Sequence, residues 1–282
     1  MYFGRNKSNS YHSFVLDHYG IDVLGHFEYI DNTMRNSRKE IVEYKPTQLV
    51  IECEAYVRSL RKHLVASMYN RQYSPKAKYP FKVMSFVNAM NWRLYETSRG
   101  ALALMKRDLV IPSLCLVRAI WEDMAITFEL STLVNSCCEN KALSDKVDET
   151  LMKILFANRY DKNNRFVGDA HYDAFKDYSA KNIVTLISKV EKVYPQTKDF
   201  YSTICEFVHP NGDGVGGSYS RLDEESDIIS FGPQISKDTE SFSPFITMLS
   251  CALMLYLRFI ESIEDNIEDF AILCEAALKS TQ

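Results

Sequence analysis

Between residues 201 and 217 the chain gathers several side chains capable of chemistry. Tyr201, Cys205 and His209 recur at four-residue steps and so share one helix face, with Glu206 an i, i+3 neighbour of His209. Pro210 then ends the helix, and Gly212, Gly214, Gly216 and Gly217 follow. A histidine at a helix C-terminus has a structural use, because its cation is favoured by the helix dipole and can donate to free carbonyls. Three sharper chemistries compete with that use. Glu206-x-x-His209 is half of the motif from which helical di-iron sites are built, but the second Glu-x-x-His is missing, which makes metal binding the third-ranked reading. Cys205 and His209 could form a thiolate-imidazolium pair, although no Asn or Asp is evident to orient the imidazole. The remaining chemistry is proton transfer by His209 beside an arginine that steadies phosphate charge. A phosphate cradle needs a strand before its glycines and a helix after them. Here the helix comes first, so the glycines read as a hinge or lid over the His209 end.

The arginine is sought in apolar helices. In IPSLCLVRAIWEDMAITF the residues Leu114, Trp121, Ala125 and Phe128 mark a stripe. Arg118 lies about 40° from its centre and Glu122 a further step round. A partly buried guanidinium requires acceptors, and Glu122 one turn on is the nearest carboxylate. On the preceding helix, Arg93 falls on the face of Phe86, Met90, Thr97 and Leu104, with Glu96 beside it. Two inward arginines need anionic company, either from Glu96, Glu122 and Glu129 or from an anionic ligand.

The central Arg118-x-x-x-Glu122 element, followed by Tyr201, His209 and Pro210 before a loose loop, resembles bacterial helical proteins grouped near the HEPN superfamily. The likeness covers residues 80 to 275. It implies an RNA-directed effector of defence, stress or toxin-antitoxin systems, with Arg118, Glu122, Tyr201 and His209 as catalytic candidates and Arg93, Glu96, Cys205 and Glu206 around them. It also implies partners: RNA, a cognate protein or antitoxin, and a second copy of the chain. The nuclease members carry Arg-x(4 to 6)-His, yet Ser202, Thr203 and Ile204 stand where that arginine belongs before His209. Arg58-x4-His63 and Arg165-x5-His171 do fit, against about one match expected by chance. Arg118 or Arg93 must therefore come from another helix or protomer, or the chain is a non-catalytic member that binds a partner protein.

Bulk properties frame these candidates. The chain has 282 residues, 46% of them hydrophobic, with only 10 Gly and 8 Pro, which favours long helices over a turn-rich sheet. Net charge is −4, distributed as +4 over residues 1–80, +2 over 81–199 and −10 over 200–282. That balance gives no general drive toward nucleic acid. Seven cysteines without a C-x-x-C pair fit neither a disulfide framework nor a zinc knuckle, and no cofactor or metal is called for. MYFGRNKSNSYHSF lacks the apolar core of a secretory signal, so cytoplasmic residence is expected. Ser241 to Leu257 is uncharged but shorter than the about 20 residues needed to span a bilayer, and reads as a buried core helix with no membrane partner.

Apolar periodicity predicts helices over Pro46–Asn70, Phe81–Lys106, Val110–Val134, a stretch capped by Ser144, Ala180–Tyr194 and Thr197–Val208. Ser243 as N-cap with Pro244 in the first turn should open a last helix of about 35 residues. SYSRL and DIISF, flanking DEES, predict a small hairpin within 218–231. The expected architecture is all-α: one helical domain spanning 1–282, with six to eight helices and 1–45 as a peripheral segment.

Overall fold

In the computed structural model, residues 46–68, 78–155, 181–235 and 242–280 are described. All belong to one compact unit, 45–282. The peripheral segment 1–45, Arg165 and His171 fall outside them.

The helices in chain order are α1 (Pro46–Leu60), α2 (Tyr79–Met105), α3 (Val110–Glu139), α4 (Val147–Leu155), α5 (Ile183–Glu191), α6 (Thr197–Val208) and α7 (Ser243–Lys279). Between α6 and α7 stand one π-helical turn, Gly212–Gly217, and an antiparallel hairpin, β1 (Ser220–Asp223) with β2 (Ile228–Phe231). The fold is the all-α bundle with a small hairpin that composition and periodicity call for.

α3 and α7 form the spine, with α2 along α3, α1 along α7, and α5 and α6 also packed on α3. The reason lies in their faces. α3 buries Leu114, Val117, Ile120, Trp121, Met124 and Val134, and α7 is buried almost all round from Phe245 to Ile260. By length and composition α7 could cross a membrane, but 72% of its most apolar window is covered by the rest of the chain.

Helix boundaries differ from the periodicity in instructive ways. α1 stops at Leu60 instead of Asn70, followed by a 3-10 turn, Arg61–His63. Side chains of α2 capture the carbonyls that a continuing helix would use: Asn91 donates to His63 O at 3.3 Å and Trp92 Nε1 to Val65 O at 3.0 Å. α5 is shorter than predicted at both ends, and its start is set by Asn182, which caps it by accepting from Val184 N at 2.9 Å. Ser243 is the first residue of α7, not its cap, and its carbonyl accepts from Thr247 Oγ1. The buried face of α2 is Val83, Val87, Met90, Asn91, Leu94, Ser98 and Ala101, rotated from the predicted Phe86–Met90–Thr97–Leu104 line, of which Met90 is buried and Phe86, Thr97 and Leu104 are only half-buried.

Candidate functional site

α6 is held on α3 by an apolar seam. Phe200 and Ile204 are buried, and the Phe200 ring meets Trp121 edge-on at 5.9 Å. Its start is fixed by Glu191 of α5, whose carboxylate accepts from Gln196 N at 3.2 Å and Lys198 N at 2.8 Å. That carboxylate takes up amides at the helix N-terminus, where negative charge is favoured.

This seam brings Tyr201 to Arg118 and Glu122. Arg118 Nε donates to Glu122 Oε1 at 3.1 Å, and Tyr201 OH donates to the same oxygen at 2.9 Å. The Arg118 guanidinium lies 6.0 Å from the Tyr201 ring centre. The three side chains thus close a triangle at the α3–α6 junction. It is only half-buried, with Arg118 32% and Glu122 34% exposed, so its charges face solvent in part. Burial pushes the Tyr201 hydroxyl up, and its bond to Glu122 adds to the shift. The Cys205 thiol is also raised by burial, against the pull of the Arg118 cation, so it stays protonated instead of pairing as a thiolate. Tyr201→Phe removes one donor from Glu122 and should cost about 1 kcal/mol. Urea unfolding reads this, and an unchanged midpoint would mean that water replaces the bond.

His209 stands apart from the triangle. It is the C-cap of α6, in extended backbone, exposed, and its imidazole makes no hydrogen bond or ion pair with a described residue. It lies one turn past Cys205, about 6 Å along the helix axis. Glu206 accepts from Asn211 Nδ2 at 2.6 Å. Among the described residues no group of three His, Cys, Asp or Glu is placed to hold a metal ion.

The glycines fold into the π-helical turn against the end of α6. Asn211 Oδ1 accepts from Gly214 N at 2.8 Å, and a Cβ on Gly214 would sit 1.9 Å from His209 O. Glycine is therefore obligatory at 214, whereas Gly212 and Gly216 face open space and Gly217 meets only Gly212 O at 3.9 Å. The turn packs back on the helix end after two extended residues, His209 and Asn211.

Arg93 corrects the sequence reading. It is 58% exposed, and its Nε donates to both oxygens of buried Asp123, at 3.1 and 2.9 Å. Glu96 is exposed, and Glu129 is held by Lys181 and Lys189. The rotated face of α2 explains why Arg93 points outward. Asp123, missed by periodicity, carries a signal: an acid between Trp121 and Met124 in an apolar stripe. Burial raises its carboxyl to about 6, with Arg93 opposing. A second polar centre follows: Tyr256 OH donates to Asn91 Oδ1 at 2.9 Å inside the core, and His63 Nδ1 lies 3.0 Å from Glu264 Oε1. The Glu264 contact raises the His63 pKa, while Arg58 pairs with Glu54 rather than joining His63.

No family model, curated protein or solved structure matches the chain. The site therefore rests on its own geometry.

Proposed function

We propose that the protein is a HEPN-like bacterial effector of defence or stress that acts on RNA in the cytoplasm, with a cognate protein or antitoxin as its regulator. The observation that carries the reading is the Arg118–Glu122–Tyr201 triangle at the α3–α6 junction, with exposed His209 at the end of α6 two turns beyond Tyr201. A guanidinium has five N–H donors, and the ones not given to Glu122 remain for phosphate oxygens. In this reading the 2′-hydroxyl of RNA attacks the adjacent phosphorus and the bond to the 5′-oxygen breaks. His209 takes the 2′-hydroxyl proton and returns it to the departing 5′-oxygen, leaving a 2′,3′-cyclic phosphate and a 5′-hydroxyl. Arg118 steadies the extra negative charge on phosphorus oxygens in between, and Glu122 and Tyr201 hold the guanidinium in position.

The test is cleavage of RNA by purified protein. Arg118→Ala and His209→Ala should each slow it by about a hundredfold with melting temperatures near that of the parent. RNA left intact by the unmodified chain would remove the reading. The rival is a non-catalytic partner-binding bundle. It is favoured by the neutralisation of Arg118 by Glu122 and by the absence of an orienting group on His209 among the described residues. It expects Arg118→Ala to lower stability and no RNA chemistry at all.

A further inference from the structure

Asn211 and Gly212 form the only Asn-Gly pair in the chain, and they open the turn that follows α6. An asparagine before glycine carries its own reaction. The backbone nitrogen of the next residue can attack the side-chain carbonyl carbon, and glycine has no Cβ to obstruct the approach. Three features of this turn bear on that step.

The first is the nucleophile. Gly212 is exposed, its N–H makes no hydrogen bond among the described residues, and a Cβ placed on it would meet nothing within 4 Å. The neighbouring Asp213-Gly214 pair lacks this freedom, because Gly214 is buried and gives its N–H to Asn211 Oδ1 at 2.8 Å.

The second is the backbone angle. A five-membered ring through Cα, Cβ, Cγ and the next nitrogen requires Cβ to eclipse that nitrogen about the Cα–C bond. With tetrahedral substituents about 120° apart, eclipsing falls at a ψ of about −120°. Asn211 has ψ −165°, about 45° away, whereas a residue at the usual antiparallel strand value of about +135° is about 105° away.

The third is the amide itself. Oδ1 accepts from Gly214 N at 2.8 Å and Nδ2 donates to Glu206 Oε2 at 2.6 Å, so both ends of the side chain are fixed. As the ring closes, negative charge grows on Oδ1, where the Gly214 N–H is already placed to receive it.

We propose that Asn211 is a self-modifying site whose side chain closes onto Gly212 N, which makes the turn after His209 a one-way chemical switch. Gly212 N loses its proton to water or hydroxide and bonds to Asn211 Cγ. The Cγ–Nδ2 bond breaks, and the nitrogen takes a proton from water and leaves as ammonia. Water then opens the succinimide at one carbonyl to give aspartate, or at the other to give isoaspartate, whose main chain runs through Cβ. Either product sets a carboxylate against Glu206 in place of a donor, so repulsion replaces a hydrogen bond. Isoaspartate also lengthens the main chain by one atom where there is no slack, since even a Cβ on Gly214 would lie 1.9 Å from His209 O. The turn is thereby released from the end of α6. The inference stands independently of the RNA reading.

Mass spectrometry of the full chain, held folded at mildly alkaline pH, tests it. Trypsin releases residues 199–221, in which Asn211 is the sole asparagine, so a gain of about 1 Da in that peptide reports the site. The modified peptide should resolve into aspartate and isoaspartate forms. The folded chain should gain the mass at least as fast as the excised peptide does, because the turn holds the amide near ring closure. Gly212→Ala should slow the gain at least about tenfold, with an unchanged melting temperature because the methyl group meets open space. A folded chain that gains nothing, or gains more slowly than the excised peptide, overturns the proposal, since the turn then protects the amide. So does a Gly212→Ala chain that reacts at the parent's rate.

Discussion

Trp121→Ala is expected to destabilise the protein by about 3–5 kcal/mol, the range for removing a large aromatic from a closed core. Trp121 is 1% exposed and sits in α3 between Arg118 and Glu122. Its ring meets Phe200 edge-on at an interplanar angle of 65°, so it is the main apolar link between α3 and α6. A domain of ordinary stability has about 5–15 kcal/mol in all, so the variant should stand close to unfolding. Trp121→Phe discriminates between lost volume and lost polarity. The indole Nε1 is buried without a hydrogen-bond partner among the described residues, so the phenyl ring gives up volume but also removes that donor. The Phe variant should cost about 1 kcal/mol, well short of the Ala variant. Urea unfolding of the three proteins measures both differences. An Ala variant within about 1 kcal/mol of its parent would mean that α6 is held by something other than this seam.

The same seam shows which contacts could be read from sequence. Arg118 and Glu122 are four residues apart on one helix, so their contact follows from helix geometry alone. Tyr201 is 79 residues from Glu122, and periodicity marks only the face it occupies, not the helix it meets. The orientation of Arg93 is hidden for the same reason. Phe86, Thr97 and Leu104 suggested an inward face, but α2 packs through Val83, Val87, Leu94 and Ala101, a rotation set by α3 and α7 together. Its true partner, Asp123, lies on a different helix. The early stop of α1 has a similar origin, since the carbonyls of His63 and Val65 are claimed by α2 side chains that no local pattern reveals. α6 was bounded correctly because Pro195 and Pro210 delimit it from within the chain itself. The hairpin was legible from its alternation, whereas the exposure of its apolar face was not, because alternation says that two faces differ and not which one is covered.

Glu52→Gln is expected to flatten the pH dependence of stability. Glu52 is 5% exposed on the buried side of α1, next to Cys53, and neither carboxyl oxygen has a hydrogen-bond partner among the described residues. Burial alone raises its pKa from 4.5 to about 7. Between those values the unfolded chain has released the proton and the folded chain still holds it, so the folded state binds more protons and stability falls as pH rises. The loss begins near the unfolded pKa and is complete above the folded one. A displacement of about 2.5 units corresponds to about 3 kcal/mol. Asp123, raised to about 6, acts in the same direction, but it is present in both proteins and cancels from their difference. Glutamine keeps the shape and cannot ionise. Its amide brings buried donors of its own, which shift the whole curve without changing its slope. The decisive quantity is therefore the gap between the two stability curves, measured by urea unfolding from about pH 5 to about pH 8. That gap should move in favour of the glutamine variant by about 2–3 kcal/mol across the range. Parallel curves would mean that the Glu52 carboxylate finds water or a cation in the folded protein, and that α1 leaves the α7 face open at this point.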